Sequence, residues 1–378
     1  MSSENIIKAN MYIAELRAKV TDYKRFNKEK IQPYFRKKQK ERKPPKEFVD
    51  SSFLYIRSYD GDIGVRPFSG ITFWLSPDIT VAPINDLSAY TRQLDAGKTY
   101  QFSCNVRNRG DLIVPSAKVE FFMVTPSLGL DLRFATKMGV AAGWVNPYAT
   151  TKVAINYTIP NNVSGHKCLF VRVFSFSPVD LPVEDYHLSP PLDRHVGQLN
   201  LNIEEQSTSF VFNLVHLPNA LELIELLPMT TEEVFALRHP LLADFKINAR
   251  SAEFVQKAEI TIKRNVGFAS LTKTLQSGNR IFFYSKNDEG VSLEEQKGIK
   301  SNFMKALKMK NKGGFDSLEF KEVLKAFNKM NKHTEQTLLE LQIPDMGLAA
   351  GEATAVKIVA GDRFSRVAKG GITLIITG

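Results

Sequence analysis

The sequence predicts a mainly β protein made of two β-sandwiches, with a basic amphipathic helix ahead of them and a helix-turn-helix insertion in the second. Three observations carry this. From Phe53 onward, β-branched and aromatic residues alternate with polar ones in short runs, separated by turn residues about every eight to twelve positions. Helical periodicity is confined to two stretches, one at the start and one near residues 290–333. Positive charge sits on the same two stretches: residues 1–50 hold 14 basic and 7 acidic side chains, and residues 297–332 hold ten lysines against Asp316, Glu319 and Glu322. The remaining chain is mildly acidic, although the whole carries +10.

At 378 residues the chain is long enough for two domains, and 43% hydrophobic with 24% charged residues is the balance of an ordinary folded protein. No run approaches the roughly 18 apolar residues of a membrane-spanning helix. The start, MSSENIIKANMYIAELRAK, lacks the apolar block of a secretory signal, so a cytoplasmic location at synthesis is expected.

Between Ser3 and about Lys30, the sets Ile6, Ile13, Val20 and Ala9, Leu16, Tyr23 recur at heptad spacing, which places them along one side of a helix. Residues 24–46 then carry 11 basic and two acidic side chains, and Pro33 and Pro44-Pro45 interrupt helix propagation. Residues 1–50 read as an amphipathic helix followed by a basic linker. The attaching side chains expected are Leu16, Val20 and Tyr23 on the stripe, and Arg36, Lys37, Lys38, Lys40 and Arg42 on the arm, a set suited to an acidic protein surface. Tyr23, Phe26, Tyr34 and Phe35 would permit stacking on bases, but they equally continue the apolar helix face, and nucleic acid is not the partner expected.

Residues 51–205 predict strands at 53–58, 71–75, 78–83, 99–108, 117–124, 151–160, 166–175 and 197–205, with turns at Asp60-Gly61, Asn108 to Gly110 and Asn161-Asn162. Strands this short bury their apolar faces as two packed sheets. The runs SPDITV (76–81), AGKTYQFSCNVRNRGDLIVPSAKVEFFMV (96–124), SGHKCLFVRVFS (164–175) and DRHVGQLNLNI (193–203) resemble bacterial immunoglobulin-like modules related to the CARDB group. In those modules a strand ending in the R-N-R-G turn, here Arg107 to Gly110, precedes a chain that widens the sandwich. The resemblance covers about 150 residues; it implies an immunoglobulin-like sandwich used for adhesion, assembly or spacing and supplies no catalytic role. Cys104 and Cys168, the only cysteines, resemble the B and F strand pair of immunoglobulin domains, but the 117–124 strand has no Trp, and His166 stands two residues before Cys168. Either a disulfide, as the resemblance implies, or two buried free thiols, as a reducing compartment favours, follows.

Residues 206–378 predict strands at 207–216, 221–227, 242–249, 258–264, 279–285, 337–344, 353–361 and 370–378, a second sandwich interrupted at about 290–333. There Ser292 and Glu295 form a capping box; the helix is expected to run to about Lys310, break at Gly313-Gly314 and restart at Asp316. Phe320, Val323, Leu324, Phe327 and Met330 then follow at helical spacing. The turn resembles an EF-hand loop ending in Glu319-Phe320, yet Lys308, Lys310 and Lys312 occupy the positions that should offer oxygen ligands. Ammonium groups repel calcium, so these three lysines are expected to meet an acidic partner instead.

Asp185, His187, Asp193 and His195, with His166, could in principle surround a metal, but the Pro190-Pro191 loop and local pairing of Asp193 with Arg194 account for them, and no metal or cofactor is expected. Asp60 and Asp62 are read as an Asp-Gly turn. The chain has no phosphate-binding Gly loop, nucleophile elbow, HExxH helix or CxxC pair, so no enzyme is expected. The function expected is a non-catalytic interaction protein docking to a larger multiprotein assembly. Its layout also resembles cargo packaged in a bacterial contractile injection particle, which implies release within such a particle; an enzyme or toxin with a loop-built site is the third alternative.

Overall fold

The computed structural model describes residues 51–378 apart from 71, 92, 164, 185, 238–241, 243–244, 249, 267–269, 288–290, 311–317 and 363–367, and, of the first fifty, Asp22, Arg25 and Glu29 alone. The expected leading helix and basic arm, with Leu16, Val20, Tyr23, Arg36, Lys37, Lys38, Lys40 and Arg42, lie outside the described residues. No helix among the described residues is long and apolar enough to cross a membrane.

The first half contains β1 (Leu54–Tyr55), β2 (Ile79–Pro83), β3 (Gln93–Leu94), β4 (Thr99–Asn108), β5 (Val114–Val124), β6 (Ser127–Leu128), β7 (Leu130–Asp131), β8 (Thr136–Val145), β9 (Thr150–Thr158), β10 (Gly165–His166), β11 (Cys168–Phe174), β12 (His187–Leu188) and β13 (Val196–Leu199). One sheet sets β1, β2 and β9 against β4, and the facing sheet runs β13-β11-β5-β8. Alternation decides what each strand buries. Tyr100, Phe102, Cys104 and Val106 of β4 meet Val119, Phe121 and Met123 of β5 and Leu169 and Val171 of β11 in one core. Cys168 lies in the opposite phase of β11, with Phe170 and Val196 in a separate cluster on the other face of its sheet. A period of two therefore keeps the two cysteines apart, and both thiols are free and buried.

The second half contains β14 (Leu201–Glu205), β15 (Ser209–His216), β16 (Leu221–Pro228), β17 (Lys246–Ile247), β18 (Glu259–Val266), β19 (Ser270–Ser277), β20 (Arg280–Lys286), β21 (Glu335–Gln342), β22 (Glu352–Asp362) and β23 (Ala368–Thr377). The helices are α1 (Thr231–Ala236), α2 (Ser251–Lys257), α3 (Leu293–Lys310) and α4 (Leu318–Asn331). A seven-stranded sheet, β14-β23-β22-β16-β20-β19 with β17 on β22, faces a sheet of order β18-β21-β15-β6. Phe210, Phe212, Ile224, Phe283, Leu339, Ile358 and Leu374 fill the space between them. The protein is thus mainly β, of sandwich type, with a helical hairpin in its second half.

Three departures from the expected strands have physical causes. The run 197–205 divides at Asn200: β13 belongs to the first sandwich, while β14 pairs in parallel with β23. Asn200 is fully buried at the crossing, where its side-chain amide donates to the carbonyls of Ser127 and Gly371 at 3.0 and 2.9 Å. The run 71–75 forms a single bridge, Leu75 to Leu199, because Trp74 leaves to pack on the second sandwich, its indole N–H donating to Thr373 at 2.9 Å. The run 242–249 retains only β17, beside helices α1 and α2 that periodicity did not signal.

Candidate docking surface

The hairpin α3–α4 is held by its own apolar stripe and by both halves of the body. Ser292 accepts the backbone N–H of Glu295 at 3.3 Å, as a helix-starting cap should. Ile299, Phe303 and Leu307 recur at intervals of four, one face of α3, and Val323, Leu324, Phe327 and Met330 supply the facing stripe of α4. The rings of Phe303 and Phe327 stack with centroids 3.9 Å apart and planes 4° from parallel. Val183 of the first half and Leu217 and Ala220 of the second close this cluster.

Polar contacts fix the seat. Gln296, buried on α3, donates to the carbonyls of Pro218 and Val291 at 2.5 and 2.8 Å. At the end of α4, the Asn331 side chain donates to Glu184 at 2.9 Å, and His187 stands 3.2 Å from the same carboxylate oxygen. Burial pushes the Glu184 carboxyl above its ordinary range, and the nearby His187 and Asn331 only partly offset this. Arg133 ties the exit of α4 to the first half, donating to the carbonyls of Lys332 and Thr334 while paired with Asp131. Glu184 and Asn331 were not among the expected site residues; they lie 147 positions apart, and no local pattern links a Glu beside Asp185 to an Asn at the end of a helix.

The opposite face of the hairpin is basic. Lys305, Lys308, Lys321, Lys325, Lys329 and Lys332 are exposed; Glu322 is exposed between them, and Glu294 and Glu295 are exposed at the start of α3. Of the three expected loop lysines, Lys308 sits on this face, Lys310 closes α3, and Lys312 lies outside the described residues together with the EF-hand-like turn. Between hairpin and body runs a cleft of about 70 Å³ lined by His187, Leu217, Phe303, Asn331 and Lys369.

Of the candidate metal residues, Asp193 and His195 belong to a buried hydrogen-bond network in which Arg194 pairs with Asp180 rather than with the expected Asp193. Asp180 accepts Ser52 Oγ at 2.5 Å and the Leu54 backbone N–H at 2.8 Å, with the Arg194 guanidinium 3.5 Å away. Asp193 stands 2.6 Å from His195 Nδ1 and accepts the Val183 and His195 backbone N–H groups at 2.7 and 2.9 Å. Burial opposes ionisation of Asp193, but His195 and the two backbone donors outweigh it and hold its carboxyl well below the usual carboxylate range. The network pins β1 to the 178–196 loop. Among the described residues no cluster of three or more His, Cys, Asp or Glu is placed to hold a metal ion, and neither residue 185 nor the His166 side chain is described. Asp62 forms the expected turn, locked by Arg66 at 2.8 Å and by the Ser58 and Gly64 N–H groups, each at 2.8 Å.

No family model and no curated protein matches the chain. Among solved structures it is similar to the CARDB domain of a Pyrococcus furiosus protein determined with di-metal ions. The two are 16% identical at a TM-score of 0.21, over 37% of this chain and 96% of that domain. That domain is of the group that the 51–205 motifs resemble. The chain is also similar to a beta-glucosidase from Kluyveromyces marxianus at 17% identity and a TM-score of 0.17, over 33% of this chain and 14% of the enzyme. The C-terminal domain of a Streptococcus pyogenes antigen I/II-family protein aligns with 80% of this chain and 99% of that domain, at 6% identity and a TM-score of 0.17. The architecture of the present chain rests on the sheets and cores described above.

Proposed function

We propose that the protein is a non-catalytic interaction module that docks to an acidic surface of a larger protein assembly through its basic helical segments. The observation that carries this is the hairpin: five exposed lysines on its two helices, and Lys332 just beyond, stand opposite a face seated through Phe303, Gln296 and Asn331 on both halves of the body. A charge cluster on a fixed support keeps its geometry, so it can meet a complementary surface without first ordering itself. The leading segment, with its 14 basic side chains, supplies a second cationic element on the same polypeptide. Synthesis in the cytoplasm and assembly there fit this reading, and nothing in the fold favours packaged cargo over it.

The test reverses charge at Lys305, Lys308, Lys325 and Lys329 to Glu in the full chain and measures partner capture at low and high salt. Capture that is salt-sensitive in the parent and lost in the variant supports docking through the hairpin. Equal capture by both proteins removes the hairpin from the interface.

A further inference from the structure

An edge strand presents a row of unpaired backbone groups, and folded chains usually blunt it with charge, proline or a bulge. The strands of eight or more residues that end a sheet are β8, β9, β18 and β19. Strand β9 carries Lys152, β18 carries Glu259, Lys263 and Arg264, and β19 carries Lys273. Strand β8 differs. Its one charged residue, Lys137, stands at a bulge, where the pairing with β5 slips between Phe121 and Phe122. From there residues 139–145 run without a charge or a proline. Exposure alternates along them: Val140 and Trp144 are 48% and 51% exposed and Ala142 is exposed, while Gly139, Ala141 and Gly143 are half-buried. The Trp144 indole donates to Asn146 at 2.9 Å, which fixes the ring in its exposed position. The Trp144 carbonyl accepts the Thr151 hydroxyl at 2.8 Å. Among the described residues, the backbone of 139–145 makes no other hydrogen bond outside its ladder with β5.

We infer that β8 is the contact through which two copies of this chain pair, edge to edge and antiparallel, about a two-fold axis at Ala142. The two sheets then continue as one, so side chains set opposite each other must face the same way. Among the axes that satisfy this, the one at Ala142 is the centre of 139–145 and uses the whole run, about 24 Å of ladder at 3.4 Å per residue. It places Trp144 of each copy opposite Val140 of the other, an aromatic and β-branched pair of the kind that stabilises antiparallel strands. Only Ala142 and its mate lie between the two pairs, so the bulky side chains do not collide. Self-pairing is favoured over a foreign partner by what the run lacks. Without charge it offers a foreign strand nothing to select, and it brings no like charges together when it meets itself. A two-fold contact also closes on itself, giving a dimer instead of a fibre. None of the hairpin lysines takes part.

The experiment uses the full chain and follows its sedimentation over a wide range of concentration. A dimer that grows with concentration is expected. Ala142→Lys and Ala142→Glu each set like charges against one another on the axis and should weaken the dimer roughly fivefold or more. An equimolar mixture of the two variants should dimerise better than either alone. Register is read by cross-linking. In Ala142→Cys the two substituted residues stand about 4.5–5.5 Å apart at Cα, within the span of a disulfide, and mild oxidation should link the copies. In Val140→Cys they stand about 14 Å apart along the strands and should stay unlinked. Cys104 and Cys168 are both 0% exposed and do not compete. A chain that stays monomeric at every concentration overturns the inference. So does a dimer that neither charge variant weakens, or one that oxidation links equally well from either position.

Discussion

Phe303→Ala isolates the seat of the hairpin. The ring is 0% exposed, stacks on Phe327 at 3.9 Å and belongs to a cluster distinct from the cores of the two sandwiches. Truncating a buried Phe costs about 3–5 kcal/mol through lost burial and the cavity left behind. Because the cluster is separate, the loss should fall on the hairpin before it reaches the sheets. Hydrogen exchange reads this directly: opening of the local unit becomes easier, and amides of α3 and α4 should exchange roughly two to four powers of ten faster. Amides of β15 and β22, in the main core, should keep their protection, up to the point where global unfolding sets the rate. A uniform loss across sheets and hairpin would make the helices part of one cooperative core and refute the reasoning. Unchanged exchange in α3 and α4 would refute it equally, since the Phe303 contact would then hold nothing in place.

Three further outcomes follow from the geometry. In Gly371→Ala the new Cβ would fall 2.1–2.5 Å from Trp74 ring atoms. Overpacking of this kind costs about 1–3 kcal/mol, a Tm lower by roughly 2–12 °C, and Trp74→Ala in the same chain should recover part of it. Glu184→Gln should raise Tm above pH ~5 and leave it nearly unchanged at pH ~3. A carboxyl whose folded pKa lies above its ordinary ~4.3 is neutral in both states at low pH and destabilises the fold only once the unfolded state ionises. A benefit that shrinks as pH rises would contradict the burial of that charge. Finally, Cys104 and Cys168, whose thiols burial pushes up, should resist an aromatic disulfide reagent in the native protein and both react after unfolding without reductant. No reaction after unfolding would reveal a disulfide.

What could be read from the sequence was the half of each element whose chemistry is local. Alternation placed Tyr100, Phe102, Cys104 and Val106 on one face, and the Ser292 cap with the stripe from Phe320 to Met330 announced the hairpin. Strand β8 was not legible because it is rich in Gly and Ala. The reason is steric: a Cβ on Gly143 would come within 2.6 Å of Val153, where β8 closes over β9. Strand β19 escaped notice because as an edge it buries only Leu271. The division at Asn200 was hidden by a continuous strand pattern, since a buried Asn bonding two different elements looks locally like any polar strand residue.

Attachment energy is expected to reside in the leading segment and the hairpin. The most direct measurement compares the affinity of the full chain for its captured partner with that of a chain lacking residues 1–46, and with that of the hairpin charge-reversal variant, each first checked by circular dichroism for an intact β body. Weakened binding in both altered chains, steeper salt dependence in the parent and unchanged β signal are the expected results. Undiminished affinity in both, with the partner instead lost on substitution of a sheet or loop residue, would contradict it.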